Sequence, residues 1–216
     1  MKDSRRRAQT TYVNTLLPLA VLAITTIILP QYSQAACGVT NLTWDEGGGT
    51  ATWATANNWN ANNVPNAVTE NATIVAITTN NAPIMNFAAT YTIGCLTINS
   101  GRLSCSNTGT ATRLIVQGDY FRNLISGSLV CTGAHNTVIQ MGDATSGTQT
   151  FENYDDVTNL EVRTNGTITF PYPFRVVTNF TMTGTTTVLN IEDDLNLLSA
   201  NAVTIPAGVT VNVNNA

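Results

Sequence analysis

The segment Ser100-Gly101-Arg102-Leu103-Ser104-Cys105 returns as Ser126-Gly127-Ser128-Leu129-Val130-Cys131 at a spacing of 26. Two more echoes follow. Gln117-Gly118-Asp119 resembles Met141-Gly142-Asp143 at a spacing of 24, and Thr158-Asn159-Leu160-Glu161-Val162 parallels Thr178-Asn179-Phe180-Thr181-Met182 at a spacing of 20. Recurrence at such intervals fits one coil of a parallel β-solenoid, where each coil buries its apolar side chains by stacking on its neighbours. The local pattern agrees. Thr92–Ile98, Leu114–Gln117, Thr137–Met141, Leu160–Val162, Thr167–Phe170, Phe180–Met182, Thr186–Ile191 and Val209–Val213 alternate or are β-branched, and Gly, Asn or Ser bounds them. The expected fold is all-β, a right-handed parallel β-solenoid over residues 73–216. The alternative is a β-sandwich, which gives turns at similar intervals but predicts no such register.

Ahead of the coils, Trp44-Asp45-Glu46-Gly47-Gly48-Gly49, Trp53, Asn57-Asn58-Trp59 and Val64-Pro65-Asn66 hold all three tryptophans of the chain. Interleaved glycine and asparagine make this a turn-rich segment. Residues 36–72 are therefore read as a cap, with Trp44, Trp53 and Trp59 buried as a plug over the first coil. The other reading is an exposed sugar-stacking platform, which requires coplanar, solvent-facing rings.

Residues 1–35 have the form of an export signal. Lys2, Arg5, Arg6 and Arg7 precede an apolar run from Leu16 to Leu29, and Ser33-Gln34-Ala35 offers a small-x-small cleavage site after Ala35 or Ala36. A membrane anchor would need a longer span without Pro18, Thr25 and Thr26. Beyond Ala35 there are five basic and twelve acidic side chains and no lysine. That surface repels phosphate backbones, so nucleic acid is excluded as a partner, and the membrane is met only through the signal during export.

Cys37, Cys95, Cys105 and Cys131 are even in number and lack C-x-x-C spacing, and His135 is the only histidine. Disulfides in an oxidising compartment are favoured over a metal centre. Cys105 and Cys131 hold equivalent repeat positions, and stacked coils bring such residues within bridging range. Cys37 then ties the cap to Cys95. Four cysteines allow three pairings, with Cys95–Cys105 the main competitor and buried free thiols the remaining alternative.

The pattern Trp44-Asp45, Trp53, Asn58-Trp59 and Pro65, followed by coils such as Leu96-Thr97-Ile98-Asn99-Ser100-Gly101, resembles bacterial autotransporter-passenger and adhesin-like β-helix proteins. Gly147-Thr148-Gln149-Thr150-Phe151 is similar to their coil sequences. The resemblance implies an exported, non-enzymatic cell-surface or secreted scaffold for adhesion or assembly, outer-membrane-associated or extracellular, with a host or cell-surface glycan or protein as partner. The chain departs from that family in lacking a translocator barrel. Its solenoid is therefore expected to continue in a longer protein or to meet a partner at its C-terminal coil.

Chemistry is sparse. Asp155-Asp156 and Glu192-Asp193-Asp194 could place Asp155, Asp156, Asp193 and Asp194 on neighbouring coils as a glycoside-cleaving carboxylate pair or a calcium cluster, against the plainer reading as turn residues. Phe170-Pro171-Tyr172-Pro173-Phe174 carries two prolines that bar ladder pairing, so Phe170, Tyr172 and Phe174 are expected either to protrude as a ligand-stacking loop or to fold back as a lid. No nucleophile motif accompanies His135, no phosphate loop or dinucleotide fingerprint occurs, and no catalytic residue or cofactor is assigned. The runner-up function is a carbohydrate-active enzyme or carbohydrate-binding module.

Overall fold

The computed structural model describes residues 36–75, 82–85, 89–105, 112–131, 137–184, 186, 188–197 and 203–214. The candidate export signal and His135 lie outside the described residues. After β1 (Thr40–Thr43) and a short 3-10 turn (Ala56–Asn58), the chain winds in coils. Among the described residues the first three coils have three strands each: β2 (Glu70–Ile74), β3 (Ile84–Met85), β4 (Thr90–Ile93); β5 (Leu96–Ile98), β6 (Leu103–Cys105), β7 (Arg113–Val116); β8 (Tyr120–Asn123), β9 (Leu129–Val130), β10 (Val138–Met141). Two-sided coils follow: β11 (Gln149–Asn153) with β12 (Val157–Val162), then β13 (Thr167–Phe170) with β14 (Phe174–Met182). Last come β15 (Val188–Ile191), β16 (Leu195–Leu197), β17 (Val203–Thr204) and β18 (Thr210–Val213).

Each described strand pairs in parallel with its counterpart one coil away. One sheet runs β1-β2-β5-β8-β11-β13-β15-β18, a second runs β4-β7-β10-β12-β14-β16 with β17 also on β14, and β3-β6-β9 form a third. The fold is a β-solenoid of about five turns. Its register explains the burial. In the first sheet Leu42, Ala72, Leu96, Phe121 and Phe151 stack in one inward column. In the second, Ile93, Val116, Met141, Val162 and Met182 do the same. Each large apolar side chain so buried contributes about 1.5–3 kcal/mol relative to leaving it exposed, so the columns, not local propensity, hold the coils together.

The repeats meet this register closely but not everywhere. Leu103 faces Leu129, as the first echo requires, and Asn159 faces Asn179, as the third requires. The second echo is displaced by one position, because Val116 faces Met141 where the echo would align Gln117 with it. Thr92–Ile98, read as one strand, is broken between β4 and β5. Gly94 makes the corner there, and a Cβ on it would lie 2.6 Å from the Gly38 nitrogen and 2.9 Å from the Val68 carbonyl oxygen. Only glycine fits that approach.

The cap is continuous with the stack. β1 pairs with β2, the Trp44 amide donates to the Thr73 carbonyl at 3.0 Å, and the Trp53 amide donates to the Ile84 carbonyl at 3.2 Å. All three indoles have no exposed surface, and Trp59 sits edge-on to both Trp44 (5.3 Å) and Trp53 (4.7 Å). The platform reading of these rings is thereby overturned. Buried Asn58 fixes the loop: its Oδ1 accepts from the Gly48 amide at 3.0 Å, and its Nδ2 donates to the carbonyls of Thr50 and Thr52. Disulfide Cys105–Cys131 joins β6 to the residue just after its neighbour β9, and Cys37–Cys95 ties the segment before β1 to the corner before β5, past β2, with Cα separations of 4.7 and 5.1 Å. The competing Cys95–Cys105 pairing and the free-thiol reading are excluded.

Candidate functional site

The corner between β13 and β14 is where the sequence placed three aromatics on a loop. Phe170 and Phe174 are instead core residues, 1% and 3% exposed. They pack against each other (5.2 Å) and against Phe151, while Phe170 also meets Phe180. Pro171 and Pro173 occupy the corner itself, where no ladder amide is needed, and so the flanking strands turn both phenylalanines inward. Neither ring protrudes as the ligand-stacking loop required. Tyr172 alone of the three keeps an outward position, and its ring lies 4.5 Å from Tyr154 at a tilt of 31°.

The acidic residues separate in the same way. Asp155 is buried, and its carboxylate accepts from the amides of Gly127 (2.5 Å) and Leu129 (2.7 Å) and from Asn123 Nδ2 (3.0 Å). Asn153 and Ser128 complete this internal network around Asn123. The third sheet ends at β9, and Asp155 satisfies an amide that a further strand of that sheet would otherwise take. It is a structural cap, with both carboxylate oxygens engaged inside the fold. Asp156 faces outward and forms a two-armed ion pair with Arg175, whose Nε donates at 2.7 Å. That hydrogen bond pushes the Arg175 guanidinium further toward its charged form. Asp193 and Asp194 are exposed at the following corner, where the Asp193 carboxylate accepts from the Asp194 amide at 2.7 Å. Among the described residues no group of three His, Cys, Asp or Glu is placed to hold a metal ion.

These outward groups meet in a shallow groove of about 250 Å³ lined by Tyr154, Asp156, Pro173, Arg175, Asp194 and Asn196, with Phe174 at its floor. Tyr154 is 39% exposed. Desolvation, then Tyr172 and Asp193, raises the pKa of its hydroxyl, which keeps it a neutral donor. On the adjoining face Arg122 pairs with Glu152 directly across the register and lies 4.4 Å from the Tyr120 ring centre. A second hollow of about 260 Å³ opens at the last coil, between Phe180, Leu189 and Leu195 on one side and Ile205, Val211 and Val213 on the other.

Sequence reasoning passes over Tyr154, Arg175 and Asn196. The signal that could find them is the coil spacing. Thr150 faces Thr169, a separation of 19 in number, and Asp156 and Arg175 are separated by the same 19. A register of that length pairs them.

The geometry defines a class: a disulfide-stapled parallel β-solenoid with a tryptophan-plugged first layer. The disulfides point to an oxidising compartment, and no described helix is long and apolar enough to cross a membrane. No protein-family model, curated protein or solved structure matches this chain.

Proposed function

We propose that this chain is an exported, non-enzymatic cell-surface or secreted protein whose solenoid serves as a rigid scaffold for adhesion or assembly, in the manner of the autotransporter passengers it resembles. The stack of parallel coils, covalently tied by two disulfides, carries the reading. Such a stack presents its outward side chains in fixed columns, one residue per coil, which suits an extended contact surface. The column Thr150, Thr169, Asn190, Asn212 is one example, with Asn212 Nδ2 donating to Asn190 Oδ1 at 2.9 Å. The exposed apolar side chains of β17 and β18 support the assembly half of the proposal, since a partner or further coil would cover them.

A carbohydrate-active enzyme is the competing reading. Of the acids expected to pair across neighbouring coils, Asp155 is engaged by backbone amides and Asp156 by Arg175, whose strand β14 lies between the corner of Asp156 and that of Asp193 and Asp194. Protease treatment of intact cells, with fractionation, tests the proposal. The expected result is a processed chain that begins near residue 36 and is accessible outside the inner membrane. Retention of the full chain in the cytoplasm with free thiols overturns it, as does polysaccharide turnover by the purified protein that disappears on changing Asp156 and Asp194 to asparagine.

A further inference from the structure

We infer that the groove at the β13–β14 corner is a binding site for a single neutral pyranose residue of a glycan, stacked on Tyr154 and hydrogen-bonded by Arg175, Asp156 and Asn196. The inference rests on the adhesion reading and names its ligand class.

Four observations converge. First, Tyr154 is the more exposed member of an aromatic pair, and Tyr172 backs its ring at 4.5 Å, so the platform is held in place before any ligand arrives. A braced ring offers apolar area at low entropic cost, which suits the C–H face of a sugar. Second, the groove wall alternates donors and acceptors. Arg175 is half exposed and carries N–H groups beyond those given to Asp156, whose carboxylate retains lone pairs, while Asn196 brings one of each. Hydroxyl groups both donate and accept, so a vicinal diol matches this array.

Third, charge selects against the alternatives. Arg175 neutralises Asp156, Asp194 is left uncompensated in the lining, and Asp193 stands within electrostatic reach of Tyr154. Net negative charge disfavours sialylated or uronate-bearing glycans. The guanidinium within the groove disfavours a cationic peptide side chain. Fourth, a volume of about 250 Å³ lies just under the range of drug-sized sites, roughly 300–1,000 Å³, so the groove takes one ring and leaves the rest of a glycan in solvent.

The test uses the purified, disulfide-bonded protein, so its failure is separate from failure of export. Binding is measured on an array of gluco-, galacto- and manno-configured neutral oligosaccharides, sialylated and uronate-bearing glycans, and an oligo-arginine peptide. The expected outcome is binding to at least one neutral glycan, weakened tenfold or more in Tyr154→Ala and in Arg175→Ala. Tyr154→Phe keeps the ring and should stay within threefold of the parent. Circular dichroism checks that each variant retains the parent's fold, which these surface positions should allow. No binding to any neutral glycan, binding confined to the acidic glycans or the peptide, or neutral binding indifferent to Tyr154→Ala each overturns the inference.

Discussion

The first three coils and the later ones solve one problem in two ways. Between β2 and β10 each coil has three short strands and a long circuit, in which Ala72 faces Leu96 and Leu96 faces Phe121. From β11 onward the coil has two main sides and a shorter circuit, in which Thr150 faces Thr169 and Ile168 faces Leu189. The early coils are crosslinked by both disulfides and closed by the tryptophan plug. The later coils have no disulfide and are filled by Phe151, Phe170, Phe174 and Phe180, whose neighbouring ring centres lie 5.1–6.2 Å apart. The early coils add covalent staples to a mainly aliphatic core, whereas the later two-sided coils are filled by aromatic packing. Asp155 marks the change of plan, since it caps the third sheet where that sheet stops.

The largest expected effects come from the packing on either side of that boundary. Trp59→Ala and Phe151→Ala each remove a fully buried ring and should cost about 3–5 kcal/mol in urea unfolding. Equal losses would show that plug and phenylalanine cluster are equivalent solutions. A loss below about 1 kcal/mol at Trp59 would mean that the cap does not close the stack. Replacing Cys105 and Cys131 by serine should cost about 2–4 kcal/mol through the entropy of the loop they close. Hydrogen exchange should then speed up in β6 and β9 and leave β13 and β14 unchanged. Uniform acceleration would erase the distinction between the two regions.

Asp155→Asn should cost about 1–3 kcal/mol, because its NH2 would replace one of the two acceptor oxygens and leave either the Gly127 or the Leu129 amide facing a donor. The smallest effect belongs to Asp143. Burial works against its carboxylate, but hydrogen bonds from Thr145 and Ser146 outweigh this and hold its pKa below the usual 3.8. A depressed pKa stabilises the fold above the unfolded value and loses that effect as pH falls through the folded one. The gap in stability between parent and Asp143→Asn should therefore be constant near neutrality and close below about pH 4. A gap that persists well into acid would assign the role to shape alone.

How much of this is legible in the sequence follows the same division. The repeats at Leu103/Leu129 and Asn159/Asn179 carry the register because their coils keep matching corners. The Gln117–Asp119 echo misleads by one position, because glycine and aspartate recur at corners whatever the length of the circuit. The cysteine pairing and tryptophan burial follow from register and position. The inward turn of Phe170 and Phe174 does not, since proline reports a missing donor and says nothing of which face its neighbours take. The Asn123–Asn153–Asp155 network is equally hidden: in sequence these residues look like solvated turn formers, and only the end of the third sheet makes them internal.

Parallel stacking in register is the central claim, and paired cysteines in the disulfide-free region test it most directly. Thr169 and Asn190 face each other on adjacent coils, while Asn212 lies one coil further along the same column. Thr169→Cys with Asn190→Cys should crosslink under mild oxidation, as mapped by mass spectrometry of the unreduced digest, and Thr169→Cys with Asn212→Cys should not. Failure of the first pair, or equal crosslinking of both, would contradict the solenoid.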